Sequence, residues 1–423
     1  MKPRSKIKKF FKSIGPGFIT GASDDDPSGI GTYSQTGAQF GYSQSWTALF
    51  SFPFMSAIQE TCGRIGIVTG KGLAGVMKKH YSKSVLYFSV LILLIANTIN
   101  IGADLGAMAS VGQLVSGVSF IYWLFGITAI TLFLEVFVSY KIYVRVLKYF
   151  AFSLFSYVIV AFMVKQNWSE IFLSTFIPHV SFTKQYLMNI VAILGTTISP
   201  YLFFWQASEE VEEEVDRKEL KSMGSGIPKF KASRLKDLKI DTITGMFFSN
   251  LIMFFIIITV ASTLGANGIT TIQTADQAAE ALRPFAGDLT YLLFALGVIG
   301  TGLLAIPVLA GSASYALSES FKMKEGLYLK FKKAHGFYGI ITLATIIGLS
   351  VNFIGIPPFR MLYYTAILNG IVAPPLMFII MRISNNKKIM GEHTNKKLSN
   401  ILGWTITGIM SLSAIALLVS LIF

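Results

Sequence analysis

Apolar runs of about 20 residues recur along the whole chain, each bounded by stretches bearing Lys, Arg, Gly or Pro, and this is the length at which a helix crosses a hydrocarbon core. About eleven spans are predicted, at roughly 13–40, 45–68, 85–113, 118–139, 146–164, 187–208, 240–264, 289–315, 336–354, 360–382 and 401–422. The longest connection, at about 209–239, is charged and carries Gly224, Ser225, Gly226, Ile227 and Pro228, so it reads as a linker. Its first residues, Glu209, Glu210, Val211, Glu212, Glu213 and Glu214, continue span 6. Glu212 and Glu214 read as a solvated helix end, whereas Glu209 and Glu210 are candidates for a vestibule that gathers or releases cations. Residues 271–285 are polar with Ala and Leu at helical spacing, which predicts a short surface helix.

Two spans break the pattern. Span 1 contains Ser23, Asp24, Asp25, Asp26, Pro27, Ser28 and Gly29 near mid-depth, and span 6 contains Thr196, Thr197, Ile198, Ser199, Pro200 and Tyr201. Each puts a proline in mid-helix, where it removes a donor and clashes with the preceding turn, so the helix unwinds and leaves carbonyls without intrahelical partners. Lipid cannot satisfy those groups, but protein or a water-lined cavity can. Spans 1–5 and 6–10 run in opposite orientations because five is odd, and each set begins with its broken span. This is the pattern of an inverted repeat, here 13–164 and 187–382, with a midplane site between two broken helices. Residues 401–422 are left as a peripheral eleventh helix, and the chain reads as one transmembrane domain, 1–423, with a basic tail at 1–12.

Composition agrees with the bilayer as solvent: 53% of residues are apolar and 14% charged. A net charge of +14 raises nucleic acid as a partner, but the placement of the cations excludes it. Of the 36 Lys and Arg, only Lys165, Lys184, Arg283 and Arg360 fall on one side of the membrane. The rest gather in the N-terminal tail and the loops after even-numbered spans, which predicts a cytoplasmic N-terminus and an extracellular C-terminus at Phe423. The basic N-terminus does not read as a cleaved signal, because Gly15, Pro16 and three acids interrupt the apolar stretch. Cys62 is the one cysteine, so no internal disulfide forms. The expected partners are the bilayer and a cation, and no obligate protein partner is predicted.

The chemistry concentrates at the breaks. Three consecutive acids in a span cost roughly 2.5–3.5 kcal/mol each, and no Lys or Arg lies near mid-depth to pair with them. A mobile cation or water is then the compensator. Consecutive helical residues point about 100° apart, so Asp24, Asp25 and Asp26 cannot all face one ion. Asp26 is the candidate ligand, because the residue before proline is pushed from helical geometry. A second role stays open for each acid, capping the half-helix that starts after the break. His80, His179, His335 and His393 fall in loops or at span ends, and Cys62 lies near one end of span 2. A site of carboxylate, hydroxyl, carbonyl and water suits magnesium, calcium or manganese rather than zinc or copper. Among other intramembrane polar residues, Asp104 is a pathway candidate and Glu135 a partner for a loop cation. The amides Gln59, Asn97, Asn100 and Asn250 read first as interhelical glue, with Gln206 and Asn369 kept as pathway candidates.

The stretch from Gly15 to Pro27, the run Arg64 to Lys71 after span 2, and Ala103, Asp104 and Leu105 in span 3 resemble the NRAMP divalent-metal transporters over nearly the whole chain. The resemblance implies an all-α, LeuT/APC-like membrane fold and a transporter rather than an enzyme, with no cofactor. The departures narrow it. The family's DPGN motif is here Asp26, Pro27, Ser28 and Gly29; its MPH motif is Ser199, Pro200 and Tyr201; its DLAE motif is Asp104, Leu105, Gly106 and Ala107. A span 10 glutamine aligns with Ala366, one turn before Asn369. These changes are similar to the prokaryotic NRAMP-related magnesium transporters of the cell (inner) membrane. By position, Asp26 supplies a carboxylate, Ser23 and Thr196 freed carbonyls, Ser199 a hydroxyl or carbonyl, and Gly29 space. Asp24, Asp25, Asp104, Tyr201, Gln206, Glu209, Glu210 and Asn369 line the pathway or surround the site. The implied cargo is hydrated magnesium, and manganese, moved across the cell membrane by alternating access without proton coupling. A proton-coupled manganese or iron carrier, and a channel or non-transporting sensor on the same fold, are the alternatives.

Overall fold

The computed structural model describes residues 15–138 and 152–422 of the chain, and they contain helices, turns and loops with no strand among them. In chain order the α-helices are α1 (Pro16–Asp24), α2 (Pro27–Phe40), α3 (Trp46–Thr69), α4 (Leu73–His80), α5 (Lys83–Ser116), α6 (Phe120–Phe137), α7 (Phe155–Met163), α8 (Trp168–Phe176) and α9 (Lys184–Thr197). There follow α10 (Pro200–Asp216), α11 (Ala232–Thr263), α12 (Ala275–Ala279), α13 (Arg283–Ala286), α14 (Thr290–Phe321), α15 (His335–Ser350), α16 (Pro358–Ser384), α17 (Lys387–Met390) and α18 (Lys397–Ile422). Pro27 and Pro200 each occupy the first turn of a new half-helix, where a missing N–H leaves no intrahelical bond unmade. Spans 1 and 6 are therefore the pairs α1/α2 and α9/α10.

Among the described residues, eight helical segments are long and apolar enough to cross a membrane. The other three expected spans have identifiable reasons for falling short. Span 1 is divided at its break, α3 carries Gln59, Glu60, Thr61 and Arg64 in its second half, and span 5 is described only from residue 152. The basic tail 1–12 and the connection 139–151, with Lys141, Arg145 and Lys148, lie outside the described residues. The linker at 209–239 is shorter than expected, because α10 runs on to Asp216 and α11 begins at Ala232. The segment at 271–285 is helical, but it is no surface helix: Ala275, Ala278, Ala279, Ala281 and Leu282 are buried.

The molecule is apolar outside and polar within. Phe125, Phe133, Leu343, Ile346, Leu412 and Ile415 are exposed, while Asp24, Asp25, Asp26, Asn97, Asn100 and Asp104 are buried. Lipid around the rim and polar groups at the centre reconcile the two. α18 is peripheral, burying Ile406 and Met410 and leaving Leu398, Leu412 and Leu421 exposed. Helices approach closely where glycine permits. The two breaks share a packing plan: α2 meets α11 where a Cβ on Gly37 would lie 2.4 Å from the Ile257 carbonyl oxygen, and α10 meets α3 where a Cβ on Gly66 would lie 2.2 Å from the Ala207 carbonyl oxygen. In span numbers these contacts are 1 with 7 and 6 with 2, the exchange an inverted repeat requires. Gly195 of α9 is tightly seated: an added Cβ would stand 2.0 Å from the Ala366 carbonyl oxygen and 2.3 Å from the Gly370 nitrogen of α16. Gly195→Val is expected to lower stability by about 1–3 kcal/mol by forcing α9 off α16. Gly408→Ala, whose Cβ meets nothing within 4 Å, serves as the control in thermal unfolding of purified protein.

Candidate functional site

At the first break the chain leaves α1 through Asp25, at φ −83° and ψ 46°, and enters α2 through Asp26 in extended geometry, at φ −68° and ψ 172°. Asp26 Oδ1 accepts from the Gly29 N–H at 2.8 Å and the Ser28 hydroxyl at 2.6 Å. The carboxylate thereby caps α2, where the helix dipole favours negative charge. Its second oxygen turns to other elements, accepting from Asn100 Nδ2 of α5 and from the Tyr201 hydroxyl of α10, each at 3.2 Å. Asp26 is thus both cap and junction. Asp24 and Asp25 cap nothing at the break. They turn toward α11, where the Ser249 hydroxyl lies 2.6 Å from Asp24 Oδ2 and 3.3 Å from Asp25 Oδ1.

The second break is closed differently. Ser199 makes no forward cap; its hydroxyl reaches back to the carbonyls of Gly195 at 2.8 Å and Thr196 at 2.7 Å. The freed Thr196 carbonyl is therefore engaged from within its own turn. The Thr196 hydroxyl faces Ser28 Oγ at 3.3 Å, and a Cβ on Gly29 would lie 3.5 Å from it, so the two breaks abut. Tyr201 spans them, its hydroxyl 3.2 Å from both the Ser23 carbonyl and Asp26 Oδ2. Ser23, Asp26, Gly29, Thr196, Ser199 and Tyr201 come together and are buried. The site is occluded. Asp104 is buried one turn along α5 from Asn100, with the Ser28 N–H as the group that reaches its carboxyl; Asn369 is buried, and its Nδ2 meets no partner among the described residues. No three His, Cys, Asp or Glu side chains gather into a metal cluster among the described residues, so an ion here would take one carboxylate plus neutral oxygens and water.

Gln206, Glu209 and Glu210 lie away from this junction. Gln206 accepts from the Thr20 hydroxyl at 2.6 Å and donates to Glu210 at 3.0 Å, and Glu210 forms a buried ion pair with Arg234 at 2.6 Å. Asp241 of α11 holds the start of α1, accepting from Gly15 N at 2.9 Å and Gly17 N at 2.7 Å. Glu209 accepts from Tyr315 at 3.2 Å. Glu212 and Glu214 are not solvated: Tyr315 and the Leu327 N–H close over Glu212, and Glu214 is buried with neither oxygen meeting a partner among the described residues. Glu135 is likewise buried with no partner among the described residues. Asn100, Ser28, Ser249, Arg234 and Asp241 complete these networks without having been singled out as site residues. Asn100 gave a sequence signal as a polar residue within a span, and Ser28 as part of the first break.

Residues 17–420 match the family model described as Natural resistance-associated macrophage protein-like. The divalent metal cation transporter MntH of Caldanaerobacter subterraneus is 24% identical, covering 94% of this chain and 90% of its own length. MntH of Klebsiella pneumoniae is 26% identical, covering 94% and 91%. A manganese transporter of Eremococcus coleocola superposes at a TM-score of 0.73 with 14% identity, over 99% of this chain and 88% of that one. Mhp1, a nucleobase-cation-symport-1 family transporter in a closed conformation, superposes at 0.53 with 12% identity, over 96% and 90%. The shared fold is LeuT-like.

The loop after α14 carries a buried carboxyl outside the spans. Burial, with Glu319 and Glu212 nearby, pushes the Glu325 carboxyl up to about 10. A raised carboxyl gives stability that is fully present below the unfolded value near 4.5 and is lost as pH climbs toward 10. Wild-type melting temperature is expected to fall between about pH 6 and 9, and the fall should be shallower in Glu325→Gln. Parallel curves for the two proteins would refute this.

Proposed function

The chain belongs to the NRAMP family, whose members are transporters and not enzymes, and from that premise we propose that it carries magnesium, and manganese, across the cell membrane by alternating access around its two breaks, without proton coupling. It is a multi-pass membrane protein, and its relatives are named divalent metal cation transporters. The cytoplasmic N-terminus and extracellular C-terminus belong to the proposal and rest on the one-sided placement of Lys and Arg.

The observation that carries the reading is the set of oxygens at Asp26: one carboxylate among hydroxyl, phenol and backbone carbonyl groups from α1, α2, α9 and α10. Such oxygens suit a small hard cation. Two substitutions relative to the family pattern support it further. Ser199 brings a hydroxyl where a thioether would favour softer metals, and Gly29 brings no side-chain amide to a position where a Cβ would stand 3.2 Å from the Asp24 carbonyl oxygen. Tyr201 stands where the family pattern has histidine and carries no imidazole to shuttle protons.

A proton-coupled manganese carrier is the competing reading. Asp104, a buried acid beside the site, favours the coupling, and the Eremococcus structure, named a manganese transporter, favours the cargo.

Flux through purified protein in liposomes, with magnesium, calcium, manganese and zinc in competition, separates the two. Magnesium is expected to compete with manganese, and the lumen to stay at constant pH during uptake. Acidification in step with metal uptake would remove the uncoupled part of the proposal. Asp26→Ala should lower flux of both ions roughly a hundredfold while leaving a monodisperse protein, as loss of a charged partner implies. Gly29→Asn with Ser199→Met should move preference toward manganese; an unchanged ratio would mean that these positions do not line the ion.

A further inference from the structure

The loop 322–334, which follows α14, folds back over the far end of α10, and two hydrogen-bonded carboxylates fasten this corner of the molecule. Glu319, near the end of α14, accepts from the Gly72 N–H at 2.6 Å and the Gly75 N–H at 2.8 Å, which secures the start of α4. Glu212 of α10 accepts from the Tyr315 hydroxyl and from the Leu327 N–H of the loop. Gly326 permits the approach: its φ is +121°, and an added Cβ would stand 2.9 Å from Glu212 Oε1. Glu325 lies beside both carboxylates, is only 8% exposed, and its Oε2 meets no partner among the described residues. The charged groups around it are Glu319 of α14, Glu212 of α10, Lys71 before α4 and Lys78 of α4, with Tyr328 on the loop itself. Lys71 donates to the Gly224 carbonyl, Lys78 donates to the carbonyls of Glu319 and Ser320, and neither forms an ion pair with Glu325 among the described residues. Three carboxylates this close and this buried cannot all stay charged without large cost. Glu212 and Glu319 take hydrogen bonds from N–H and O–H groups, whereas Glu325 Oε2 takes none, so a proton placed on Glu325 relieves the crowding most cheaply. The same crowding is what pushes its carboxyl up to about 10.

We propose that Glu325 is a proton-operated latch on the side that the placement of Lys and Arg makes cytoplasmic: protonated, it lets the loop 322–334 dock on Glu212 and hold α10 against α14; ionised, it is repelled by Glu212 and Glu319, and the loop releases α10. The same helix begins at the second break, where the Tyr201 hydroxyl meets Asp26, and Glu212 lies about three turns further along it. Freeing that end permits the movement that opens the site to this side. The proposal rests on the alternating-access reading above and adds to it a control by pH that is separate from any proton travelling with the cargo. The sign follows from the proton count: docking takes up one proton at Glu325 and release returns it, so release gains with rising pH, by at most about tenfold per pH unit.

Hydrogen–deuterium exchange of the loop in purified full-length protein, corrected for the intrinsic pH dependence of exchange, reads docking directly. Wild-type protection of the amides around Leu327 is expected to fall by up to about tenfold per unit between pH 6 and 8, the limit for one proton. Glu325→Gln, which imitates the protonated acid, should keep its protection across that range. Glu325→Ala removes the charge without adding an amide and should do the same, so the test survives if the glutamine variant misfolds. Manganese flux in proteoliposomes, with equal pH on both sides, reads the consequence: wild type and Glu325→Gln should match at pH 6, and only the wild type should speed up toward pH 8. Wild-type protection that stays constant, or that falls equally in the two variants, overturns the latch. Protection that follows magnesium concentration instead of pH overturns it in favour of a bound cation. Protection that falls while flux ignores pH overturns the link to α10. Wild-type protein that carries no metal overturns the transport reading, and the exchange measurement still decides whether the loop is held by a proton.

Discussion

Lipid offers no hydrogen bonds, so every backbone group released at Pro27 and Pro200 has to find its partner inside the protein. The two breaks meet this demand in opposite ways. Asp26 reaches forward and caps α2, while Ser199 reaches back and occupies the carbonyls at the end of α9. Tyr201 then ties the first break to the second half-helix of the other through one hydroxyl. The helices that surround the breaks are placed accordingly, with glycines letting α2, α9 and α10 approach their neighbours closely enough to exclude solvent.

Much of this was legible along the chain. Periodic apolar length gave the spans, and a proline beside acids or hydroxyls gave both breaks, because each is a local property of about 20 residues. What stayed hidden was tertiary. Ser249 looks like any serine in a span until α11 is laid against α1, and Asp241 looks like a helix-start acid until Gly15 and Gly17 present their N–H groups to it. Glu212 and Glu214 read as solvated because charge at a helix end normally faces water. Glu212 is closed over by Tyr315 and Leu327, more than 100 residues away in sequence. The triple acid illustrates both sides. Its cost was readable from sequence, but its division into one cap and two side chains turned toward Ser249 was not.

Family membership and local chemistry carry different weights in this molecule. The LeuT-like fold is shared with transporters only 12–14% identical, so the fold fixes where a site lies and says little about its occupant. The occupant is argued from the residues at Asp26, Gly29, Ser199 and Tyr201. A scaffold that keeps its breaks while exchanging the donors around them can change its cargo without changing its mechanics.

The clamp between Asp241 and the first turn of α1 has a further consequence. α1 is only nine residues long and is held at its start by a carboxylate accepting from two backbone N–H groups. Pulling it from α11 leaves a charge and two donors bare at the same instant, and water has to arrive with the movement. Displacement of this short rod is therefore coupled to hydration, and osmotic stress becomes a handle on its motion that neither voltage nor cargo concentration provides.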